Sequence, residues 1–97
     1  MNKTEKIFQK HKMDKFNKYR IGVHEHNNGL QKVYKFPNGY GASVIRHDGS
    51  YGGSRGLWEL AVTLHGILCY DTSITNDVIG HLNTEEVNKE LQAIKEL

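Results

Sequence analysis

The sequence predicts an α+β domain: an antiparallel sheet of four to five strands flanked by an N-terminal and a C-terminal helix. Three observations predict it. Turn-forming Asn, Gly and Pro residues punctuate runs of alternating apolar residues between positions 19 and 70, which is hairpin grammar. The last residues carry an apolar stripe at helical spacing behind a capping sequence. The first eighteen contain neither Gly nor Pro and are rich in helix formers.

The first element is a helix over residues 3–18, with Ile7, Phe8, Phe16 and Tyr19 roughly on one stripe and lysines on the other faces. The rival reading of residues 1–20 is a mobile basic arm. Tyr19 to Glu25 follows as a strand in which Tyr19, Ile21 and Val23 alternate inward. His26-Asn27-Asn28-Gly29 is a tight turn, because Asn and Gly tolerate left-handed backbone. Leu30 to Phe36 is the returning strand, and Pro37-Asn38-Gly39 turns the chain again.

Tyr40 to Arg46 reads as a third strand with Ala42 and Val44 on one face. A glycine-rich loop of nine residues, Asp48 to Gly56, separates it from the next. Leu57 to Leu64 and Ile67 to Tyr70 read as two strands joined at His65-Gly66, with Trp58, Leu60, Val62 and Leu64 sharing parity toward the core. Thr75 is placed to cap one helical turn, Asn76 to Ile79, ended by Gly80. The C-terminal helix starts at Asn83, with Glu86 as the capping-box partner and Leu82 stapling onto Val87. Val87, Leu91 and Ile94 form its buried stripe.

A chain of 97 residues is expected to be a single domain, 1–97, with a thin core at 37% apolar content. Cys69 is its only cysteine, which excludes an internal disulfide and a cysteine zinc cluster. In an apolar strand it reads as a buried structural thiol. The first residues lack a signal-peptide pattern, and no window nears the roughly 20 apolar residues of a membrane span. The expectation is a cytoplasmic protein with no membrane partner.

Net charge is +2 but unevenly laid out: +5 over residues 1–20, +1 over 21–70 and −4 over 71–97. Such polarity offers a basic end to an acidic partner or to the chain's own acidic end. Seven cations among the first twenty residues, interleaved with Phe8, Phe16 and Tyr19, could follow a phosphate backbone. The low overall charge and acidic C-terminal third favour a solvated helix face instead.

The chemistry-bearing candidates are few. Backbone N–H groups of the loop Asp48 to Gly56 could cradle an anion with help from Arg55, but neither phosphate-binding fingerprint is present. Chain turning, or contact with a protein, suits the loop better. His24 and His26 lie two apart, so on a strand they share a face, and His47, Asp48 or Glu25 could supply a third metal ligand. Exposed polar residues beside a turn explain the pair more simply, and no metal or cofactor is assigned. No serine sits in a nucleophile elbow, and no spacing asks for an acid–base pair. The expectation is a non-enzymatic protein. Tyr40, Tyr51, Trp58 and Arg55 are residue types that dominate interfaces, and exposed strand edges leave a homodimer open.

The stretch Phe36-Pro37-Asn38-Gly39-Tyr40-Gly41-Ala42-Ser43-Val44-Ile45-Arg46 carries a family resemblance. It continues through Ser50-Tyr51-Gly52-Gly53, Gly56-Leu57-Trp58-Glu59-Leu60-Ala61-Val62 and Cys69-Tyr70-Asp71-Thr72-Ser73-Ile74-Thr75-Asn76-Asp77-Val78-Ile79-Gly80. Over about residues 36–97 the chain resembles small proteins encoded by tailed bacteriophages. The resemblance implies a context, the cytoplasm of an infected bacterium, and an accessory rather than virion role; it carries no site residues. In that context the expected function is to bind a host or defence protein, with inhibition of that protein left open as a consequence. The expected binding residues are Tyr40, Arg46, Tyr51, Gly52, Gly53 and Arg55. The alternatives are a module that sequesters a small anion such as a nucleotide, and nucleic-acid binding through the N-terminal helix.

Overall fold

The computed structural model describes residues 15–97. Among the described residues six strands form one antiparallel sheet: β1 (Arg20–His26), β2 (Gly29–Lys35), β3 (Tyr40–Arg46), β4 (Trp58–Leu64), β5 (Ile67–Leu68) and β6 (Ile79–Leu82). The helix α1 (Thr84–Lys95) packs on it. β1 to β4 lie side by side in chain order. On the side of β4 away from β3, β5 pairs with Thr63 and Leu64 while β6 pairs with Trp58 and Leu60.

Local chemistry sets the hairpins. Asn27 and Asn28 both take positive φ, 46° and 61°, the primed turn whose twist matches the strands it joins. His65 and Gly66 do the same at 51° and 82° between β4 and β5. Residues of even number in β2 to β4 then face α1. Leu30, Tyr34, Ala42, Val44, Trp58, Leu60 and Val62 bury against Val87, Leu91 and Ile94, with Phe36, Leu82 and Phe16 closing the ends.

Both helix ends are satisfied. At the start, Asn83 Oδ1 accepts from the Glu86 N–H at 2.8 Å and Glu86 Oε1 accepts from the Asn83 N–H at 3.0 Å, the reciprocal box expected from the sequence. At the other end the β2–β3 turn docks. Asn38 Nδ2 donates to the carbonyls of Ile94 at 3.0 Å and Lys95 at 3.1 Å, and the Ile94 carbonyl also accepts from the Leu97 N–H at 3.2 Å.

The structure corrects several expectations. The helix over 3–18 lies mostly outside the described residues, and where its end is described the chain forms a short 3-10 turn, Asn17–Tyr19. Phe16 is nonetheless buried, edge-on to Phe36. Ile21 points outward and is 67% exposed, because a bulge between Arg20 and Gly22 inserts it as an unpaired residue. Val23, beyond the bulge, packs on the core as expected.

The strand expected over Ile67 to Tyr70 is two residues long, and Cys69 is half-buried rather than buried. The turn expected over Asn76 to Ile79 is instead the approach to β6. Thr72 Oγ1 accepts from the N–H groups of Ile74 and Thr75, and Thr75 Oγ1 accepts from that of Asp77. These side-chain turns aim Ile79 at Leu60 and leave no helical turn to cap. Among the described residues no helix is long and apolar enough to cross a membrane.

Candidate functional site

The end of the sheet where β1 meets β2 and β3 leaves toward β4 gathers most of the candidate side chains. The backbone N–H of Asp48 donates to the Asn27 carbonyl at 3.1 Å, and Asn28 Nδ2 donates to Asp48 Oδ2 at 3.1 Å. This seam requires glycine at position 29, since a Cβ there would stand 1.9 Å from the Arg46 carbonyl oxygen. A cleft of about 580 Å³ results, lined by Glu25, His26, Leu30, Arg46, His47 and Gly53 among others. Across it the rings of His26 and His47 meet edge to face, centroids 5.1 Å apart.

The loop Asp48 to Gly56 folds on itself. Ser50, Gly53, Arg55, Gly56 and Leu57 donate their N–H groups to carbonyls of residues 47–53. Ser50 Oγ accepts from the His47 N–H at 3.0 Å and donates to the His47 carbonyl at 2.9 Å. Those donors hold the loop's shape and are not available to an anion in this conformation.

Tyr51 is the residue this scaffold displays. Its N–H donates to Glu59 Oε1 at 3.1 Å, and its carbonyl accepts from the His81 N–H at 3.3 Å. Its Cβ sits over Gly80, where any side chain would approach it to 2.5 Å. The His81 ring lies 6.3 Å away, tilted 35°. With the backbone fixed on both sides, the side chain is still 61% exposed.

Beneath the cleft, cations stack on the single indole. Arg46 Cζ lies 4.4 Å and Lys32 Nζ 4.5 Å from the Trp58 ring centroid. Lys32 is 6% exposed although it occupies a core-facing position of β2. Its stem packs among apolar neighbours while its ammonium reaches the ring.

The expected binding residues divide accordingly. Tyr51, Gly52, Gly53 and Arg55 belong to one loop, in which Gly52 takes a left-handed φ of 83° ahead of the 3-10 turn Gly53–Arg55 and Arg55 is exposed. Arg46 and Gly53 line the cleft beside it. Tyr40 is elsewhere: it sits at the opposite end of β3, about 20 Å along the strand, half-buried against the core and paired with Leu64. His24 and His26 are both exposed, as the reading of polar residues beside a turn expected. His24 curls back over Gly22, its Nε2 2.8 Å from where a Cβ would stand, and His26 meets His47.

Glu59, Gly80 and His81, which position Tyr51, went unseen in the sequence. Their parity and spacing carry no signal, because β6 comes to β4 only in the fold. A separate apolar strip, Ile67, Leu68 and Tyr70, lies exposed at the β5 edge.

Comparison of the chain with protein-family models, with curated proteins and with solved structures finds no match.

Proposed function

We infer that this chain is a bacteriophage-encoded accessory protein that acts without catalysis, by binding a host or defence protein through the loop Asp48 to Gly56. The observation that carries the reading is Tyr51: a large aromatic side chain, 61% exposed, on a backbone tied to Glu59 and His81. Rigid aromatic anchors are the residues from which interfaces draw most of their energy, and a preorganised one loses little freedom on binding. Arg55, exposed on the same loop, supplies a planar donor fork. The phage context rests on the sequence resemblance over residues 36–97, and places the partner in the bacterial cytoplasm.

The test is affinity capture from lysate of the bacterial host, comparing the unaltered chain with Tyr51→Ala and Arg55→Ala. A stoichiometric protein held by the former and lost from both variants, at unchanged melting temperature, supports the reading. A partner retained by both variants moves the surface elsewhere on the molecule. No stoichiometric partner overturns the reading.

A further inference from the structure

Beyond protein binding, we propose that Asn28 is a site of spontaneous deamidation whose conversion frees the exit of β3 from the β1–β2 turn. Two asparagines of the chain precede glycine, Asn28 and Asn38. A glycine at the next position leaves its backbone nitrogen unshielded by a side chain. That nitrogen, on losing its proton, attacks the asparagine Cγ. The new C–N bond closes a succinimide ring, and the side-chain nitrogen leaves as ammonia. Water then opens the ring at one C–N bond to give aspartate or at the other to give isoaspartate. The reaction needs no cofactor and no second protein.

The fold separates the two sites. In both, the attacking nitrogen sits in a turn: Gly29 pairs with His26 across the hairpin, and the Gly39 N–H donates to the Phe36 carbonyl at 3.0 Å. Cyclisation therefore waits for the turn to open, and its rate follows what that opening breaks. Opening at Asn38 breaks its bonds to the carbonyls of Ile94 and Lys95 and the bond it accepts from the Tyr40 N–H. Asn28 is exposed at a hairpin tip, and among the described residues its side chain holds one hydrogen bond, from Nδ2 to Asp48 Oδ2 at 3.1 Å. Asn27 and Asn28 also hold left-handed backbone, which costs an L residue energy and so eases the opening.

The product opposes what it replaces. Asn28 Nδ2 donates to Asp48, whereas a carboxylate at position 28 only accepts, so two carboxylates face each other where a hydrogen bond stood. Glu25 lines the same cleft, and its cation, Arg46, sits over Trp58. The bond from the Asp48 N–H to the Asn27 carbonyl is then left to hold the seam against that repulsion. Isoaspartate also lengthens the backbone by a carbon inside a two-residue turn matched to the twist of its strands. Either product loosens the loop that begins at Asp48.

The experiment ages the full chain at mildly alkaline pH and follows deamidation at each asparagine by peptide mass mapping. The proposal expects conversion of Asn28 at least about tenfold faster than that of Asn38 in the folded chain, and similar rates at the two in urea. Hydrogen exchange at the Asp48 amide should quicken in the aged protein and in Asn28→Asp. It should slow again when Asn28→Asp is combined with Asp48→Asn, which restores a donor opposite the carboxylate. Melting curves verify that each variant is folded, and the ageing of the unaltered chain is independent of them. Equal rates at the two sites in the folded chain overturn the proposal, as does an unmodified Asn28 after a time that converts the chain in urea. So does an Asp48 amide whose exchange is indifferent to conversion of Asn28.

Discussion

Arg46 sits over Trp58, its guanidinium carbon 4.4 Å from the ring centroid, and so joins the core to the cleft above it. Lys32 reaches the same indole at 4.5 Å. A core-facing position of β3 thereby holds a charge whose partner is a π-system.

Replacing Arg46 by Ala should cost about 1 kcal/mol from the lost stacking and stem packing. Because Trp58 is the only tryptophan, its fluorescence reports the change directly: emission should move to longer wavelength as water reaches the ring. Unaltered emission would mean that the stacking does not persist in solution.

Asn38 ties the β2–β3 turn to the end of α1, donating to Ile94 and Lys95 while its Oδ1 accepts from the Tyr40 N–H at 3.0 Å. Asn38→Ala removes all of these at once, leaving the Lys95 carbonyl without this donor and the Ile94 carbonyl with the Leu97 N–H at 3.2 Å. The expected loss is about 1–3 kcal/mol, read as a lower urea midpoint at unchanged slope.

At the other end of the helix, Asn83→Ala removes the capping box with Glu86 and should cost about 1 kcal/mol in the same assay. The two positions cap opposite ends and share no partner. The double variant should therefore be additive within about 0.5 kcal/mol.

Gly29→Ala should be far more damaging than its size suggests. The added methyl meets the Arg46 carbonyl at 1.9 Å and the His47 backbone at 2.6 Å, so β2 and the exit of β3 must part. We expect a loss of about 2 kcal/mol or more, and faster hydrogen exchange at the Asp48 amide that bonds to Asn27. A protected amide in this variant would contradict the close approach.

Ile67→Lys and Leu60→Ala contrast edge with core. Ile67 is 73% exposed on the two-residue β5, and its substitution should change stability by less than about 0.5 kcal/mol. Leu60, fully buried where β3, β4, β6 and α1 converge, should cost about 2–5 kcal/mol.

Sequence by itself determined the parts of this protein that local chemistry controls. Asn27-Asn28-Gly29, Pro37-Asn38-Gly39 and His65-Gly66 turn the chain through their own backbone preferences, so the hairpins were legible. Period-two alternation through Ala42, Val44, Leu60 and Val62, and the stripe Val87, Leu91 and Ile94 behind a capping box, assigned the buried faces. Only the tertiary structure decided the rest, because each remaining feature depends on a partner distant in the chain. The bulge at Ile21 follows from register against β2, and β6 exists only because β4 has an open edge to receive it. Lys32 is buried in a position where alternation alone would place an apolar residue, since the Trp58 ring is there to accept its charge. The candidate site divides along the same line. That the loop Asp48 to Gly56 is glycine-rich was plain from the residues. That Tyr51 is displayed from it, that Tyr40 lies at the far end of β3, and that His26 meets His47 rather than His24 are consequences of packing, which no spacing in the chain encodes.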